Sequence, residues 1–435
     1  MSLRPLAFVA LVVACSASLA APQDTGVGPS PTLPPPHHAL IPRVDIAPAV
    51  HWPAGATPTA APGLSVVPLA TGLDHPRWLY VLPNGDVLVA ESNGPAGKSG
   101  IRGIKGTVMK HVMAKAGAGV PSPERIVLLR DADGDGRAEM RSDFMTGLHS
   151  PFGMALVGDT LYVANTDSLV RVHYPIGATR IDATPEHVVD LPGATGEFNH
   201  HWTKSLVASA DGTRLYIGVG SNSNAGENGM AVEASRAAIL EIDPQTRTTT
   251  IYADGLRNPV GLAWQPGTST LWAVVNERDE LGDDLVPDYL THVERGAFYG
   301  WPYSYWGAHV NPRVKPQRPD RVAAARVPDY GLGNHVAPLG LAFNTSASLR
   351  QVFGDGAFVG LHGSWNRTPL AGYRVVFVPF ADGRPAGATR DVLTGFVDAR
   401  GDAQGRPVGV AIAGDGALLV ADDVGNAVWR VAPTH

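Results

Sequence analysis

From about residue 63 onward, one pattern of apolar and polar positions returns six times: an apolar strand, a turn built on Gly, Asp or Asn, then a second strand ending on polar residues. The first copy runs through residues 76–82, turns at Pro83-Asn84-Gly85-Asp86 and returns through 87–91. The others begin at Pro151, Lys204, Asn258, Pro338 and Pro407. Each reads as a hairpin whose turn residues can take the positive φ that tight turns require. A single hairpin cannot bury its apolar face, so the copies must stack on one another. They recur at intervals of about 50 to 80 residues, which leaves room for two more strands in each, as in a propeller blade. The expectation is an all-β fold, a six-bladed β-propeller of four-stranded antiparallel blades, over residues 63–435. Gly153, Gly261, Gly340 and Gly409 open their strands with small residues, which suits crowding near a central axis. An ordinary β-sandwich is the alternative, and six matched copies argue against it.

Ahead of the repeat, residues 1–21 read as an export signal: Arg4, an apolar run over 6–14, and a small-residue cleavage site at 17–20. The run is too short to span a bilayer. The sole cysteine, Cys15, has two readings. It is either the lipidated first residue of a lipoprotein anchored at the membrane surface, or it is discarded with the signal. The mature domain then has no disulfide. Residues 22–62, rich in Pro and Ala, are expected to form an extended linker or tether. The protein is thus expected outside the cytoplasm, periplasmic or lipid-anchored at the cell envelope.

Charge adds little. Charged residues make up 17% of the chain and the net charge of −6 is spread without blocks, so no nucleic-acid partner is indicated. Gly 50 and Pro 37 suit a fold with many tight turns.

In a propeller, the residues just before each first strand and just after each second strand meet at one mouth. Here those positions hold His200 and His201, Arg257 and Asn258, Asn276-Glu277-Arg278-Asp279-Glu280, His362-Gly363-Ser364-Trp365-Asn366-Arg367, Arg406, Glu91, and Asp422-Asp423. A base, cations, an acidic run and a stacking aromatic suit an anionic, planar cofactor better than a hydrolytic triad. His200, His335 and His362 read as structural or packing residues. A separate run, Asp131-Ala132-Asp133-Gly134-Asp135-Gly136, followed by Glu139, has the alternating carboxylates and sixth-position Gly of a calcium loop. It is read either as a second Ca²⁺ site through Asp131, Asp133 and Asp135 or as a solvated turn.

The segments Gly72-Leu73-Asp74-His75-Pro76, His201 with Lys204 and Leu206, Arg257-Asn258-Pro259-Val260-Gly261-Leu262, Asn276-Glu277-Arg278-Asp279 and Gly363-Ser364-Trp365-Asn366-Arg367 carry a resemblance. Together they resemble the soluble sugar dehydrogenases that use pyrroloquinoline quinone (PQQ), in particular the aldose and L-sorbosone branches. The resemblance implies that His201 is the general base and that Arg257 polarises the quinone oxygen. It implies cofactor contacts from Asn258, Trp365, Asn366, Arg367 and Arg406. It also implies that the loop Arg278-Asp279-Glu280 holds Ca²⁺, through backbone carbonyls or its acidic side chains. The glucose-oxidising members carry a Lys where Asn366 or Arg367 stands here, and a second Arg beside Arg406 is missing.

The implied activity is oxidation of an aldose or a sorbosone-like carbonyl hydrate. With Cys15 the only cysteine, a Cys-x-x-Cys-His haem site is absent, so electrons must leave to an external quinone or cytochrome. The rival readings are a Ca²⁺-dependent propeller hydrolase or lactonase, and a non-enzymatic binding propeller.

Overall fold

The computed structural model describes residues 25–37, 43–95, 114–193 and 201–434. The export signal, Cys15 and His200 lie outside the described residues. Among the described residues the strands form six blades, as the repeat predicts.

The first blade takes Pro76–Val81, Val87–Glu91, Arg125–Arg130 and Met140–Met145. The second follows with Met154–Val157, Thr160–Ala164, Ser168–His173 and Glu186–Asp190. In the third are Leu206–Ala208, Leu215–Val219, Ala238–Asp243 and Thr248–Asp254. The fourth and fifth run from Asn258–Trp264 to Tyr330–Asn334 and from Pro338–Phe343 to Arg390–Thr394. The sixth is closed by the two ends of the propeller: Pro407–Ile412, Leu418–Asp422 and Ala427–Pro433 pair in order, and Leu64–Thr71 supplies the outer strand. Hydrogen bonding between Ala427–Pro433 and Leu64–Thr71 locks the ring shut. Val, Leu, Ile and Phe from facing sheets fill the space between blades, for example Leu240, Ile217 and Val219 with Tyr162 and Ala164. Each such side chain, once buried, contributes roughly 1.5–3 kcal/mol.

Inner strands enter from the mouth, where four of them begin with a β-bulge, at Pro76/Trp78, Pro259/Leu262, Pro338/Gly340 and Pro407/Val410. A bulge re-aims the extra residue. The strand-opening glycines then meet the next blade's backbone. A Cβ on Gly409 would stand 2.8 Å from the Arg77 carbonyl, one on Gly340 2.3 Å from that of Val408, one on Gly261 2.8 Å from that of Leu339, and one on Gly153 2.6 Å from that of Lys204. The crowding expected of these glycines is present, and it defines a ring of equivalent positions, one per blade: Arg77, Phe152, Lys204, Val260, Leu339 and Val408.

Within the Pro/Ala-rich segment, residues 25–37 and 43–62 are extended but docked, because their backbone finds unpaired sheet edges and their side chains find buried partners. Val27–Gly28 adds to the outer edge of the fourth blade and Thr59–Ala60 to that of the fifth. Trp52 packs edge-on against Phe396 and Trp429 and donates its indole N–H to Asp422 Oδ2 at 2.7 Å. No helix among the described residues is long and apolar enough to cross a membrane.

Candidate active site

Two kinds of segment converge on the mouth: the residues leading into each inner strand, and the connections between each second and third strand. Both were singled out from the sequence. The structure gathers their side chains around two carboxylates, Asp423 buried and Asp279 half-buried.

The first is Asp423, at the end of the sixth blade's second strand and 2% exposed. Arg77 Nη1 donates to its Oδ2, His362 Nε2 lies 2.9 Å from the same oxygen, and His75 Nε2 lies 3.7 Å away. Burial would raise the Asp423 carboxyl, but His362 and Arg77 hold it well below the usual range. Burial, reinforced by the Arg77 charge, lowers His75 to about 4. Beside this group Arg406 is also buried; its guanidinium lies over the Tyr373 ring at 4.9 Å and Nη2 donates to the Ala47 carbonyl at 3.2 Å. The Nε atoms of Arg77 and Arg406 are buried donors with no partner among the described residues.

Asp279 is the second. Arg257 Nη2 donates to its Oδ2 at 3.0 Å and Asn366 Nδ2 to its Oδ1 at 2.8 Å, while His335 Nδ1 lies 3.5 Å from Oδ1. Burial would raise this carboxyl too; the Arg257 charge and the His335 and Asn366 contacts hold it well below the usual range. Arg257 is fixed further by the Glu277 carbonyl at 2.7 Å and by Asn224, whose carbonyl and Oδ1 take Nε and Nη2 at 3.2 and 3.1 Å.

His201 stands against Arg257's neighbour. A Cβ on Gly220 would meet both Asn258 Oδ1 and the His201 Cβ at 2.3 Å, so only glycine lets these two side chains sit together. His201 Nδ1 lies 2.8 Å from the Ser221 carbonyl, which can only accept. Nδ1 therefore carries the proton and the ring's lone pair is on Nε2, the tautomer a general base needs. Asn258 Oδ1 is a buried acceptor with no partner.

The axial ring contributes as well. Four of its members, Phe152, Val260, Leu339 and Val408, join one apolar cluster. Arg77 and Lys204 replace that pattern with cations, and both meet Trp202, the residue after His201. The Arg77 guanidinium lies 5.5 Å from the Trp202 ring, and Lys204 Nζ donates to the Trp202 carbonyl at 3.1 Å. Lys204 is fully buried; that burial, with the Arg236 charge, pushes its ammonium pKa well below the usual value.

The other residues singled out in the sequence take up different positions. Arg278 turns away from the mouth, bonding Asn311 Oδ1 at 2.5 Å through Nη1 and the Asp279 carbonyl through Nε and Nη2. Glu280 faces Arg313 at 2.5 Å, leaving only Asp279 of the three in the site. Arg367 reaches the Asn334 carbonyl and Asp284 rather than Asp279. Trp365 is half-buried, and its carbonyl accepts from the Asp45 N–H at 2.9 Å. Glu91 binds Arg125 and Arg141 and is a structural anchor. His335 and His362, read as packing residues, belong to the site. Arg77 was missed, although a charge at a position that is apolar in four other copies was the available signal.

The Asp131, Asp133, Asp135 and Glu139 ligand atoms do lie within 4.8 Å of one another. They occupy the turn after Arg125–Arg130, on the face opposite the mouth. Backbone N–H groups of the same loop already bond to them, as Gly134 and Gly136 do to Asp131.

Comparison with known proteins adds the lineage. A family model described as TrAA12-like matches residues 58–294 and 310–434. An uncharacterized protein of Borreliella burgdorferi is 29% identical over 234 residues, which cover 53% of this chain and 60% of that protein. The calcium structure of the Trichoderma reesei family AA12 carbohydrate-active enzyme is 20% identical, with a TM-score of 0.69, covering 90% of this chain and 99% of that chain. The holo form of the pyranose dehydrogenase PQQ domain from Coprinopsis cinerea is also 20% identical, with a TM-score of 0.68, covering 89% and 100%. At these identities the two structures establish a shared fold.

Proposed function

The chain belongs to the TrAA12-like family, and on that premise we propose that it is an exported PQQ- and Ca²⁺-dependent oxidoreductase that oxidises an aldose or a sorbosone-like carbonyl hydrate. The observation that carries this reading is the cationic lining of the mouth. Arg77 and Arg406 keep buried Nε–H donors with no partner among the described residues, Arg77 paired with Asp423 and the Arg406 backbone N–H with Asp422. Such a surplus of oriented donors fits a planar polycarboxylate, which guanidinium groups bind through paired hydrogen bonds. For calcium, the fitting atoms are hard oxygens: the Asp279 carboxylate and Asn366 Oδ1, a buried acceptor with no partner.

When bound, PQQ supplies the two-electron acceptor that takes hydride from the sugar carbon. The protein's own part is proton transfer and charge. His201 Nε2 takes the hydroxyl proton while Nδ1–H stays on the Ser221 carbonyl, so the imidazolium forms without rotating. Arg257, clamped by Asp279, Asn224 and the Glu277 carbonyl, presents a fixed positive charge to the oxygen that becomes negative. Asn258 presents its side-chain amide beside the base. Re-oxidation of the bound cofactor would need an external acceptor such as a quinone or a cytochrome. Tyr303, Arg318 and Arg321 help line a cleft of 290 Å³ next to Gly255, and we assign sugar selection to this rim. The residue 1–21 segment supports export; anchoring through Cys15 is the alternative to release.

A hydrolase or lactonase would converge several carboxylates on one channel metal. Here Asp279 and Asp423 stand at separate nodes, each tied to an arginine. The test is reconstitution of the apo-protein with PQQ and Ca²⁺, followed by dye reduction over a panel of sugars. Cofactor absorbance, dye reduction and a higher melting temperature are expected together; absence of all three overturns the reading.

A further inference from the structure

We propose that Glu233, which touches neither Arg257 nor His201, is the positioning residue that holds the His201 ring and the Arg257 clamp in one rigid turn. The proposal rests on the reading of His201 as the base.

Glu233 ends a short 3₁₀ turn, Met230–Glu233, in the connection between the second and third strands of the third blade. It is 5% exposed. Both carboxylate oxygens are spent on the preceding turn. Oε2 accepts from the Asn222 N–H at 2.7 Å and Oε1 from the Ser223 hydroxyl at 2.5 Å. Ser223 is thereby fixed: its Oγ also accepts from the Gly226 N–H at 2.9 Å, and its carbonyl accepts from the Ser221 hydroxyl at 2.6 Å.

Ser221 carries the consequence to the base. Its carbonyl takes the His201 Nδ1–H at 2.8 Å, and its Oγ stands 3.2 Å from the same nitrogen. Its own N–H donates to the Arg257 carbonyl at 2.7 Å. The next residue but two, Asn224, grips the Arg257 guanidinium and takes the Asp279 N–H at 2.9 Å. One turn therefore sets three things: the tautomer of the base, the aim of the cation and the backbone of Asp279. A backbone carbonyl orients a ring only as well as its own turn is held, and Glu233 is the anionic group at the foot of this one. Loss of that hold misplaces the base by a fraction of an ångström, which is enough to slow proton transfer severely.

The experiment compares Glu233→Gln with the wild type and with His201→Ala in the full chain. Gln keeps the size and one acceptor but offers an N–H₂ group to a donor. Ring ¹⁵N shifts of His201 in the apo-protein report the tautomer, without cofactor. In the loaded enzyme, kcat, KM and the pH dependence of kcat/KM are measured. The expected result is a mixture of tautomers, a displaced acid limb of the pH profile and a fall in kcat of about tenfold or more. A wild-type tautomer with an unmoved pH profile overturns the proposal, whatever the melting temperature does. Should Glu233→Gln not fold, Ser223→Ala removes the same hydroxyl link and decides by the same readouts. Turnover surviving in His201→Ala would remove the base reading instead; the apo-protein spectra would still decide whether Glu233 holds the ring.

Discussion

Asn366 donates through Nδ2 to Oδ1 of Asp279 across 2.8 Å, tying together two loops that are 87 residues apart in the chain. The same amide's Oδ1 is buried without a donor. Asn366 thus presents an oxygen on one side and a donor toward the Asp279 loop on the other. Replacing it by Ala removes both. Asn366→Ala is expected to weaken Ca²⁺-dependent PQQ binding by about tenfold, as losses around a metal site commonly do. Titration of the apo-protein with PQQ at fixed Ca²⁺ checks this; unchanged affinity would mean that the orphan oxygen faces nothing in the loaded enzyme.

Arg257 has five hydrogen bonds to groups of the protein, so its charge cannot follow a ligand about. A preorganised cation of this kind acts chiefly on kcat. Arg257→Lys retains the charge but cannot satisfy Asn224, Glu277 and Asp279 together. It is expected to lower kcat by about 10²–10³-fold, the usual scale for loss of one preorganised donor, with a smaller change in KM. Steady-state dye reduction measures both.

How much of this was legible depends on the range of the signal. The hairpins were readable because apolar runs and turn residues lie within a dozen positions of each other. The mouth was readable because a propeller repeats its register, which brought out Arg257, Asn258 and His201. Asp279, His335 and Asn366 meet only through loop conformations, so the acidic run 278–280 was visible while the choice of Asp279 over Glu280 was not. For residues 43–62, Pro- and Ala-rich composition fits a free tether and a docked edge equally well. Trp52 and Asp422, 370 positions apart, settle it.

Arg77 occupies a ring position that is apolar in four of the other blades, and its partner Asp423 is buried still more deeply. Arg77→Leu restores the apolar pattern locally but strands a buried carboxylate beside two histidines. The expected loss is about 3–5 kcal/mol, the range for removing one partner of a buried pair. Arg77→Leu combined with Asp423→Asn should recover most of that loss. Denaturant melts of the two variants make the comparison. A double variant no more stable than the single one would show that Arg77 acts through packing on Trp202 instead.

Acid and base stability should follow the buried carboxyls in opposite directions. Burial, against four donors (Trp429, Trp52 and the Arg406 and Gly425 N–H groups), raises Asp422 to about 6. Burial likewise raises Asp288 to about 6. Between the ordinary carboxylate range and pH 6 the folded protein therefore holds more protons than the unfolded chain. Stability from these two groups falls as pH rises through that window and is level above it. Asp279 and Asp423, held low, act the other way: their contribution is present above the ordinary carboxylate range and lost as pH falls below it. Urea melts from pH 3 to 8 report the sum of these, together with an opposing rise from His75, whose folded value of about 4 lies below that of a free imidazole. In Asp422→Asn, the decline between about pH 4 and 6 should shallow by up to one proton, or about 1.4 kcal/mol per pH unit, whatever the variant's absolute stability. An unchanged slope would mean that Asp422 is already ionised throughout the window, with its four donors outweighing its burial.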